Sequence, residues 1–583
     1  MGYTPHVLVI GGDVLATAIA RDLAIRGLDV TLATRDTLGA ESPAEFGVLY
    51  SGARNVTREP LARLLYRESQ TLQQIADGCV DETGGLIVSQ DRERLEELHE
   101  AAESASIPAQ AIDGETLREQ EPGLSEDIEL GISVPDSVVD PFRLTLANAK
   151  GAKEYGATIR SRTAVTEVAV DEGTVGTVRL AHDPSPDAEF ETAQAVTDGG
   201  KPGVPGGTDQ TMPGEAVETS KQIEERETEE IDPDYVVNAA GGRAREVASR
   251  AGLDMQIPTV VESAVLLDAS PVDTVLTRYG PDGDETTVRP HQDVVRVGTA
   301  VSENGEMSAS VSAVKALQAQ TEGMMPAVGD AAMLRADSAR RLRSASTNTG
   351  HEHKLLDHGD RDDCWGMTTV AGGSLTTHRY VAEQVADDIC TKFGIRRECQ
   401  TDEIPLPAVD PLGVATDRRA EGPVVCDQQS VTQADIEAAF EACDYPDLTE
   451  ALLRMRTPAH SPVEGRCAYR LAGVLYPEYE ESVVSGALRD FLDRHWATQR
   501  PVLVGDRLET AAQTYRSHVE TMNLGGSVPV IDPDDMDDET SDRETTDRPD
   551  GGIDLASFAD GRDTARREPP QVCERTTGGE LSR

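Results

Sequence analysis

The sequence predicts an α/β protein whose first domain is built on a doubly wound, Rossmann-like sheet. Three observations support this prediction. An apolar run over 6–10 ends at Gly11-Gly12, apolar residues then recur at helical spacing over 16–24, and a second apolar run follows over 28–32. Strand, tight turn, helix and strand in this order form the βαβ unit that opens a dinucleotide-binding domain.

Beyond this unit the hydrophobic pattern continues to alternate between helical and strand periods. The predicted segments are helices over 57–80 and 91–105, a turn and helix returning to a strand over 134–159, a buried strand over 235–242, several strands over 256–300, and a strand, Gly-Gly turn and helix over 365–393. We therefore expect the opening unit to be followed by further helices and by a second group of strands.

Composition divides the chain into three parts. Residues 1–400 form two intertwined domains, a Pro-containing linker leads to a small helical module over 420–525, and residues 530–583 form an acidic tail that we expect to be disordered. The segment 186–232 is rich in Gly, Pro, Glu and Thr and has almost no large apolar residue. We expect it to be a disordered insertion in the first part.

The charge balance excludes several classes of function. The formal net charge is −51, and only seven of the cationic residues are lysines. Such a surface repels nucleic acid and anionic lipid, and no run of about 18 apolar residues predicts a membrane span. Dense carboxylates become tolerable where molar salt shortens the screening length to about 3 Å. Together with eight cysteines, this composition predicts the reducing, salt-rich cytoplasm of a halophile.

The first glycine turn matches a dinucleotide fingerprint only in part. Gly11 and Ala16 occupy the first and third of its small-residue positions, but Asp13 replaces the middle glycine. Its carboxylate would lie near a diphosphate, or it could cap the helix itself. Thr34 stands where a carboxylate usually binds the ribose, and Asp36 follows two residues later. From the motif alone, a bound dinucleotide and an empty βαβ scaffold both remain open.

The order of the segments nevertheless resembles that of a known family. The matching stretches are VLVIGG and TAIARDLAIRGLDVTL at the start, SGAR at 51–54, DETGGLIV at 81–88, VPD and VDPFRL within 134–144, YVVNAAG at 235–241, GMTTVAGGSLTTHR at 366–379, PVVC with VT and ADI within 423–436, and CAYRLA at 467–472. They are similar to the large subunit of anaerobic, FAD-dependent glycerol-3-phosphate dehydrogenase, in a haloarchaeal form. The resemblance extends to about residue 525.

This resemblance implies a fold, a cofactor and a reaction. The fold would be a glutathione-reductase-type flavin domain, a mixed-sheet substrate domain and a C-terminal module like a [2Fe–2S]-binding domain. The reaction would pass a hydride from C2 of sn-glycerol 3-phosphate to FAD, giving dihydroxyacetone phosphate. The implied substrate arginines are Arg54 and Arg340. The implied cofactor-binding residues are Gly11, Gly12, Ala16, Ala239, Gly241, Gly372 and Gly373.

Several residues with chemical roles in the family are replaced in this sequence. Phe46 and Tyr50 stand where the family has histidines, and Ser374 replaces the lysine of the Gly-Gly-Lys-Leu-Thr-Thr turn. His291 and His378 remain as candidate bases, although a structural role is the simpler interpretation of each. We assign no catalytic residue from the sequence.

The C-terminal module departs furthest from the family pattern of Cys-x-Cys followed by Cys-x4-Cys. Cys426 and Cys467 remain, whereas Gln428 and Val463 replace the other two thiols. Four thiolates hold a [2Fe–2S] cluster, so we predict no cluster and interpret the two cysteines as relic ligands.

Two functions follow from this comparison. The first is an FAD enzyme of the glycerol-3-phosphate dehydrogenase type that passes electrons through small partner subunits to quinone. The second is a degenerate paralogue with a structural or regulatory role in such a complex. A third interpretation, a flavoprotein without the cluster, lies between them. Each predicts a cytoplasmic protein, held at the inner face of the membrane through partner subunits.

Overall fold

The structure is a computed structural model. It describes residues 3–40, 45–182, 228–270, 272–279, 285–291, 294–302, 311–342, 352–409, 424–426, 431–441, 443, 447–454, 464–477, 479–522 and 524. The predicted tail over 530–583 and most of the predicted insertion lie outside these residues.

The described residues form 22 strands. In chain order they are β1 (His6–Ile10), β2 (Asp29–Ala33), β3 (Val48–Leu49), β4 (Val80–Asp81), β5 (Gly85–Ser89), β6 (Gln110–Asp113), β7 (Leu130–Val134), β8 (Ser137–Val139), β9 (Thr158–Arg160), β10 (Thr163–Asp171), β11 (Thr174–His182), β12 (Thr228–Ile231), β13 (Tyr235–Asn238), β14 (Thr259–Asp268), β15 (Val275–Tyr279), β16 (Glu285–His291), β17 (Val294–Ser302), β18 (Ala332–Leu342), β19 (His353–Asp357), β20 (Met367–Gly372), β21 (Val424–Cys426) and β22 (Val431–Thr432).

Fifteen α-helices and three 3₁₀ helices accompany them in the described ranges. The α-helices are α1 (Val14–Ile25), α2 (Glu59–Ile75), α3 (Arg92–Ser104), α4 (Gly114–Gln120), α5 (Pro141–Glu154), α6 (Ala244–Arg250), α7 (Val311–Met324), α8 (Pro326–Gly329), α9 (His358–Asp362), α10 (His378–Lys392), α11 (Gln433–Glu441), α12 (Leu448–Arg454), α13 (Glu464–Leu475), α14 (Glu481–Gln499) and α15 (Gly505–Thr521). The 3₁₀ helices are Ala53–Arg58, Gly241–Arg243 and Arg500–Val502.

The first sheet confirms the opening βαβ unit. Its strand order is β19-β20-β13-β1-β2-β9, and all neighbours are parallel except the pair of β19 and β20. Because side chains alternate along a strand, Val7 and Val9 pack against α1, α5 and α10, whereas Leu8 and Ile10 pack against the sheet β10-β11-β12.

Two kinds of structure pack on the second face of this sheet. The helix α6 packs against β19 and β20, and the three-stranded antiparallel sheet packs against β1 and β2. One strand of the smaller sheet is β12, which pairs with β11 and corrects the prediction, because it falls inside the stretch expected to be a disordered insertion. The four residues of β12 alternate in burial and so complete a sheet despite their polar composition.

The second sheet has eight strands in the order β18-β14-β17-β16-β15-β5-β7-β6. One face is apolar and packs on α4, α7 and α8 through residues such as Val265, Val288 and Val297. The cross-strand register places a set of mostly charged residues on the opposite face. We call this the polar face; it carries Glu262, Glu285, Arg289, Arg296, Arg335, Asp337 and Arg341.

The C-terminal module consists of helices with one short strand pair, β21 and β22. α11 to α15 enclose an apolar core that includes Phe440, Leu488 and Phe491. α14 contacts β18, the outer strand of the eight-stranded sheet. Val502, in the 3₁₀ helix after α14, belongs to the core beneath that sheet. The module therefore packs against the eight-stranded sheet.

Candidate functional site

The turn between β1 and α1 leaves no room for side chains. Gly11 has φ +146°, and a Cβ on it would lie 2.4 Å from the carbonyl oxygen of Ala239 and 2.8 Å from the Cβ of Ala16. A Cβ on Gly12 would lie 2.3 Å from Oγ1 of Thr34. Strand ends and helix N-terminus therefore approach as closely as the fingerprint requires, and Ala16 serves in place of glycine.

Two cavities meet at this turn. The β2 cavity, with about 790 Å³ of open space, is bordered by Gly12, Thr34, Arg35, Thr163 and Arg243 among others. The β18 cavity, with about 1190 Å³ of open space, lies between the first sheet and the polar face. Asp13 and Ala239 border both cavities. The two cavities thus form one groove along the carboxyl ends of β1, β2 and β13, where α/β proteins bind their ligands.

Asp13 occupies the centre of this groove. Its Oδ1 accepts the backbone N–H of Ala16 at 2.9 Å, so the carboxylate caps α1. Its Oδ2 lies 3.7 Å from where a Cβ on Gly241 would be. The carboxylate of Asp13 is therefore the anion that the positive N-terminal end of α1 favours.

A second glycine turn borders the β18 cavity between β20 and α10. Gly372 and Gly373 have φ of +76° and +91°, which allows the chain to reverse before the helix. The hydroxyl of Thr377 accepts the N–H of Ser374 at 3.1 Å, and that of Thr376 accepts the N–H of Tyr50 at 3.1 Å. The turn is thereby tied to the segment that carries Arg54.

The two predicted substrate arginines are not brought together. Arg340 is exposed and borders the β18 cavity. Arg54 is buried, its side chain 8% exposed, and its Nη1 lies 2.7 Å from Oε2 of Glu285 on the polar face. It also lies over the ring of Tyr50 at 3.9 Å. Burial alone would lower the pKa of Arg54, but the carboxylate of Glu285 raises it above its usual value.

Sequence reasoning missed a third arginine in the site. Arg341 bridges Glu45 at 2.6 Å and Glu262 at 2.7 Å, and all three side chains border the β18 cavity. Arg289, also on the polar face, is 4% exposed and donates to the carbonyl oxygen of Phe46. Alternating charged residues along β16 and β18 were the available signal, since they indicate a polar face rather than a loop.

The two candidate histidines differ in their surroundings. His378 is 3% exposed, borders the β18 cavity, and its Nδ1 lies 2.7 Å from the carbonyl oxygen of Leu375. Burial lowers its pKa to about 4. The ring is therefore neutral near pH 7, with Nδ1–H donating to Leu375 and Nε2 as its basic nitrogen. His291 lies beside Arg289, with 3.4 Å between their ring and guanidinium nitrogens.

The described residues contain no group of three or more His, Cys, Asp or Glu side chains placed to hold a metal ion. The side chains of Cys426 and Cys467 lie outside the described residues. Cys443 donates to the carbonyl oxygen of Ala439 at 3.1 Å, and burial raises its pKa. None of the helices in the described ranges is both long and apolar enough to cross a membrane.

Comparison with known proteins gives a consistent result. Residues 6–387 match the family described as FAD dependent oxidoreductase. The chain is 33% identical over 605 aligned residues to the A1 subunit of the anaerobic glycerol-3-phosphate dehydrogenase of Haloferax volcanii, covering 96% of this chain and 95% of that protein. It is 28% identical to the corresponding subunit of the Escherichia coli K12 enzyme, and the alignment covers 87% of this chain and 95% of that subunit.

Solved structures agree on the fold. The L-proline dehydrogenase of P. horikoshii has a TM-score of 0.51 at 17% identity, covering 67% of this chain and 95% of that one. The FAD-bound L-alpha-glycerophosphate oxidase of Mycoplasma pneumoniae has a TM-score of 0.50 at 18% identity. The match covers 70% of this chain and 100% of the oxidase chain. The groove at the glycine turn, the mixed second sheet and these similarities lead to one assignment: the chain belongs to the FAD-dependent oxidoreductases and, among them, to the large-subunit family of anaerobic glycerol-3-phosphate dehydrogenase.

Proposed function

We propose that this chain binds FAD in the groove formed by the two cavities, but that its own oxidation of sn-glycerol 3-phosphate is lost or strongly weakened. The family reaction gives dihydroxyacetone phosphate and delivers electrons through partner subunits to quinone. The observation that carries the proposal is the ion pair between Arg54 and Glu285, which occupies the predicted phosphate-binding arginine.

The residues that border the groove support FAD binding. The backbone at Gly11 and Gly12 would approach the diphosphate, the β2 cavity would hold the adenosine, and Gly372 and Gly373 would border the flavin ring. Ala16 packs beneath the turn, while Ala239 and Gly241 form the opposite wall. When bound, the flavin would supply a hydride acceptor.

The substrate side fits the family substrate poorly. A phosphate dianion needs arginine or lysine partners, yet Glu45, Glu262 and Glu352 all border the β18 cavity. Arg341 is held between the first two of these carboxylates, and Arg58 pairs with Glu352 at 2.7 Å. Because the side chain of Glu285 is 35% exposed, breaking its pair with Arg54 costs about 1 kcal/mol. Releasing Arg54 for a phosphate would therefore weaken binding by up to about tenfold.

The C-terminal module supports a subunit role. We propose that it keeps the fold of a cluster-binding domain without the cluster, because Gln428 and Val463 replace two of the four thiols. Its described helices are held by the apolar core that includes Phe440 and Leu488. The chain would then act as a structural or regulatory partner of small dehydrogenase subunits at the inner face of the cytoplasmic membrane.

An absorption spectrum tests both halves of this proposal. The protein is purified in molar KCl, mixed with FAD, desalted into the same salt, and titrated anaerobically with sn-glycerol 3-phosphate. We expect flavin bands that the substrate does not bleach. Bleaching within seconds would restore the dehydrogenase function, whereas a colourless, folded protein would contradict FAD binding and leave only the scaffold role.

A further inference from the structure

The β18 cavity has an excess of acidic side chains. Four of the charged residues that border it are acidic and two are basic: Asp13, Glu45, Glu262, Glu352, Arg340 and Arg341. Glu352 is already paired, because its Oε1 lies 2.7 Å from Nη1 of Arg58. Three carboxylates and two guanidinium groups therefore decide the charge that a ligand in this cavity meets.

Arg341 does not neutralise the carboxylates around it. It bridges Glu45 at 2.6 Å and Glu262 at 2.7 Å. Burial alone would lower the pKa of Arg341, but these two carboxylates and that of Asp13 raise it above its usual value. One positive charge is thus shared by three negative ones. The side chains of Glu45 and Glu262 are 19% and 28% exposed, so salt in the solvent screens this excess only in part.

The remaining groups of the cavity do not supply the missing positive charge. Arg340 is exposed, so molar salt screens its guanidinium group within about 3 Å. His378 is neutral near pH 7, because burial lowers its pKa to about 4. Its Nδ1 lies 2.7 Å from the carbonyl oxygen of Leu375, and in the described part of the chain no residue hydrogen-bonds to its Nε2. That nitrogen is a further neutral acceptor for an N–H group.

We propose that the polar-face side of the β18 cavity binds a small ligand whose charged end is an ammonium group, with Glu45 and Glu262 contacting that group. The shortest contact of each glutamate with Arg341 uses Oε2. A carboxylate has about four acceptor positions, so both glutamates can also accept an N–H of the ligand. A phosphate dianion at the same place would meet three like charges instead.

This inference rests on the proposed function, because the ligand would lie beside the flavin in the groove. It deepens that function by naming the class of ligand that replaces the family's phosphate ester. It concerns binding and involves no electron transfer.

Calorimetric titration of the chain in molar KCl at pH 7, with and without added FAD, tests the proposal. The probes are 3-amino-1,2-propanediol, glycerol and sn-glycerol 3-phosphate, which share one skeleton and differ in the charge at one end. We expect the amine to bind at least about tenfold more tightly than either other probe. Glu45→Gln and Glu262→Gln should each weaken binding of the amine by about fivefold and leave glycerol unchanged.

Glu59→Gln is the matched control, since Glu59 is an exposed glutamate that pairs with Arg63 and does not border the cavity. Equal affinity for the amine and glycerol, tighter binding of the phosphate, or an amine preference that survives in both cavity variants would overturn the inference. So would the absence of amine binding in a folded chain. The two proposals fail separately: flavin bands without an amine preference refute only the present inference, and an amine preference in a colourless chain refutes only the flavin proposal.

Discussion

The glycine turn after β1 and the polar face of the eight-stranded sheet border the same groove, but different forces hold them in place. Around Gly11 and Gly12 the backbone itself is the contact surface, and neighbouring atoms leave no space for a Cβ. On the polar face, ion pairs such as those of Arg54 and Arg341 set the geometry. The geometry of the Gly11-Gly12 turn, which we call the cradle, does not depend on which polar side chains lie elsewhere in the groove. Each charged side chain of the polar face, in contrast, depends on a specific partner.

Gly11→Val should break the cradle and have the largest effect. The β-branched side chain would have to adopt φ +146° and would collide with the carbonyl of Ala239. We expect the free energy of unfolding in molar KCl to fall by about 3 kcal/mol and FAD retention to be lost. Gly252→Val is the control, because Gly252 also has a positive φ, +74°, but no atom within 4 Å. Equal losses would show that backbone strain alone, and not the close approach, governs this turn.

Acid should destabilise the part of the β18 cavity that the start of α10 forms, through His378. Its folded pKa of about 4 lies below the usual histidine pKa of 6.5, so the unfolded chain binds more protons between these values. Stability should therefore rise with pH from about 4 to 6.5, and the contribution of about 3 kcal/mol is lost as pH falls through that window.

The difference between wild type and His378→Gln isolates this contribution from the titrating carboxylates. Urea unfolding across the window should give a flatter pH dependence for the variant, while His99→Gln on α3 should follow the wild type. Parallel curves for wild type and His378→Gln would show that His378 is not buried as a neutral ring.

Glu285→Gln should release Arg54 on the polar face, so that it can bind the phosphate of the family's substrate. The variant removes the carboxylate that holds Arg54 and leaves a buried cation, so stability should fall by about 1–2 kcal/mol. sn-Glycerol 3-phosphate should then perturb the bound flavin spectrum at about tenfold lower concentration than in wild type. Glu59→Gln, which disrupts an exposed pair with Arg63, is the control. An unchanged response to the substrate would mean that Glu285 does not block the phosphate site.

Substitution of Asp13, beside the glycine turn, should have the smallest effect on FAD binding. Asp13→Asn keeps a side-chain acceptor for the N–H of Ala16 and removes the negative charge near the diphosphate. We expect FAD to bind about fivefold more tightly with less than about 1 kcal/mol change in stability. Asp13→Gly should give a similar gain, and Asp91→Asn, which changes the cap of α3 outside the groove, should give none. Unchanged FAD affinity in both Asp13 variants would remove its carboxylate as the obstacle.

The sequence was most informative where contacts are local. Strand, turn and helix at 6–25 follow from spacing, and Asp13 could be anticipated as a helix cap because its partner is three residues away. The positions of β13, β20 and α10 follow from the same kind of pattern. Family resemblance added the order of the domains, since it compares the whole chain.

The substrate side could not be predicted in the same way. Glu285 lies 231 positions after Arg54, and Arg341 is joined to Glu45 across most of the first two domains. These pairs depend on the register between strands and on how the segment from Glu45 onward crosses the polar face. No period in the sequence contains that information, so Arg54 looked available for a phosphate although it is paired.

The contact of α14 with β18 has a consequence for shortened forms of this chain. β18 is an outer strand, and outer strands left bare tend to pair with other molecules. Because α14 contacts it and Val502 belongs to the core beneath, deleting the C-terminal module would expose part of this strand and of the apolar interior. Truncation of the module should therefore impair folding and solubility, whatever other role the module has.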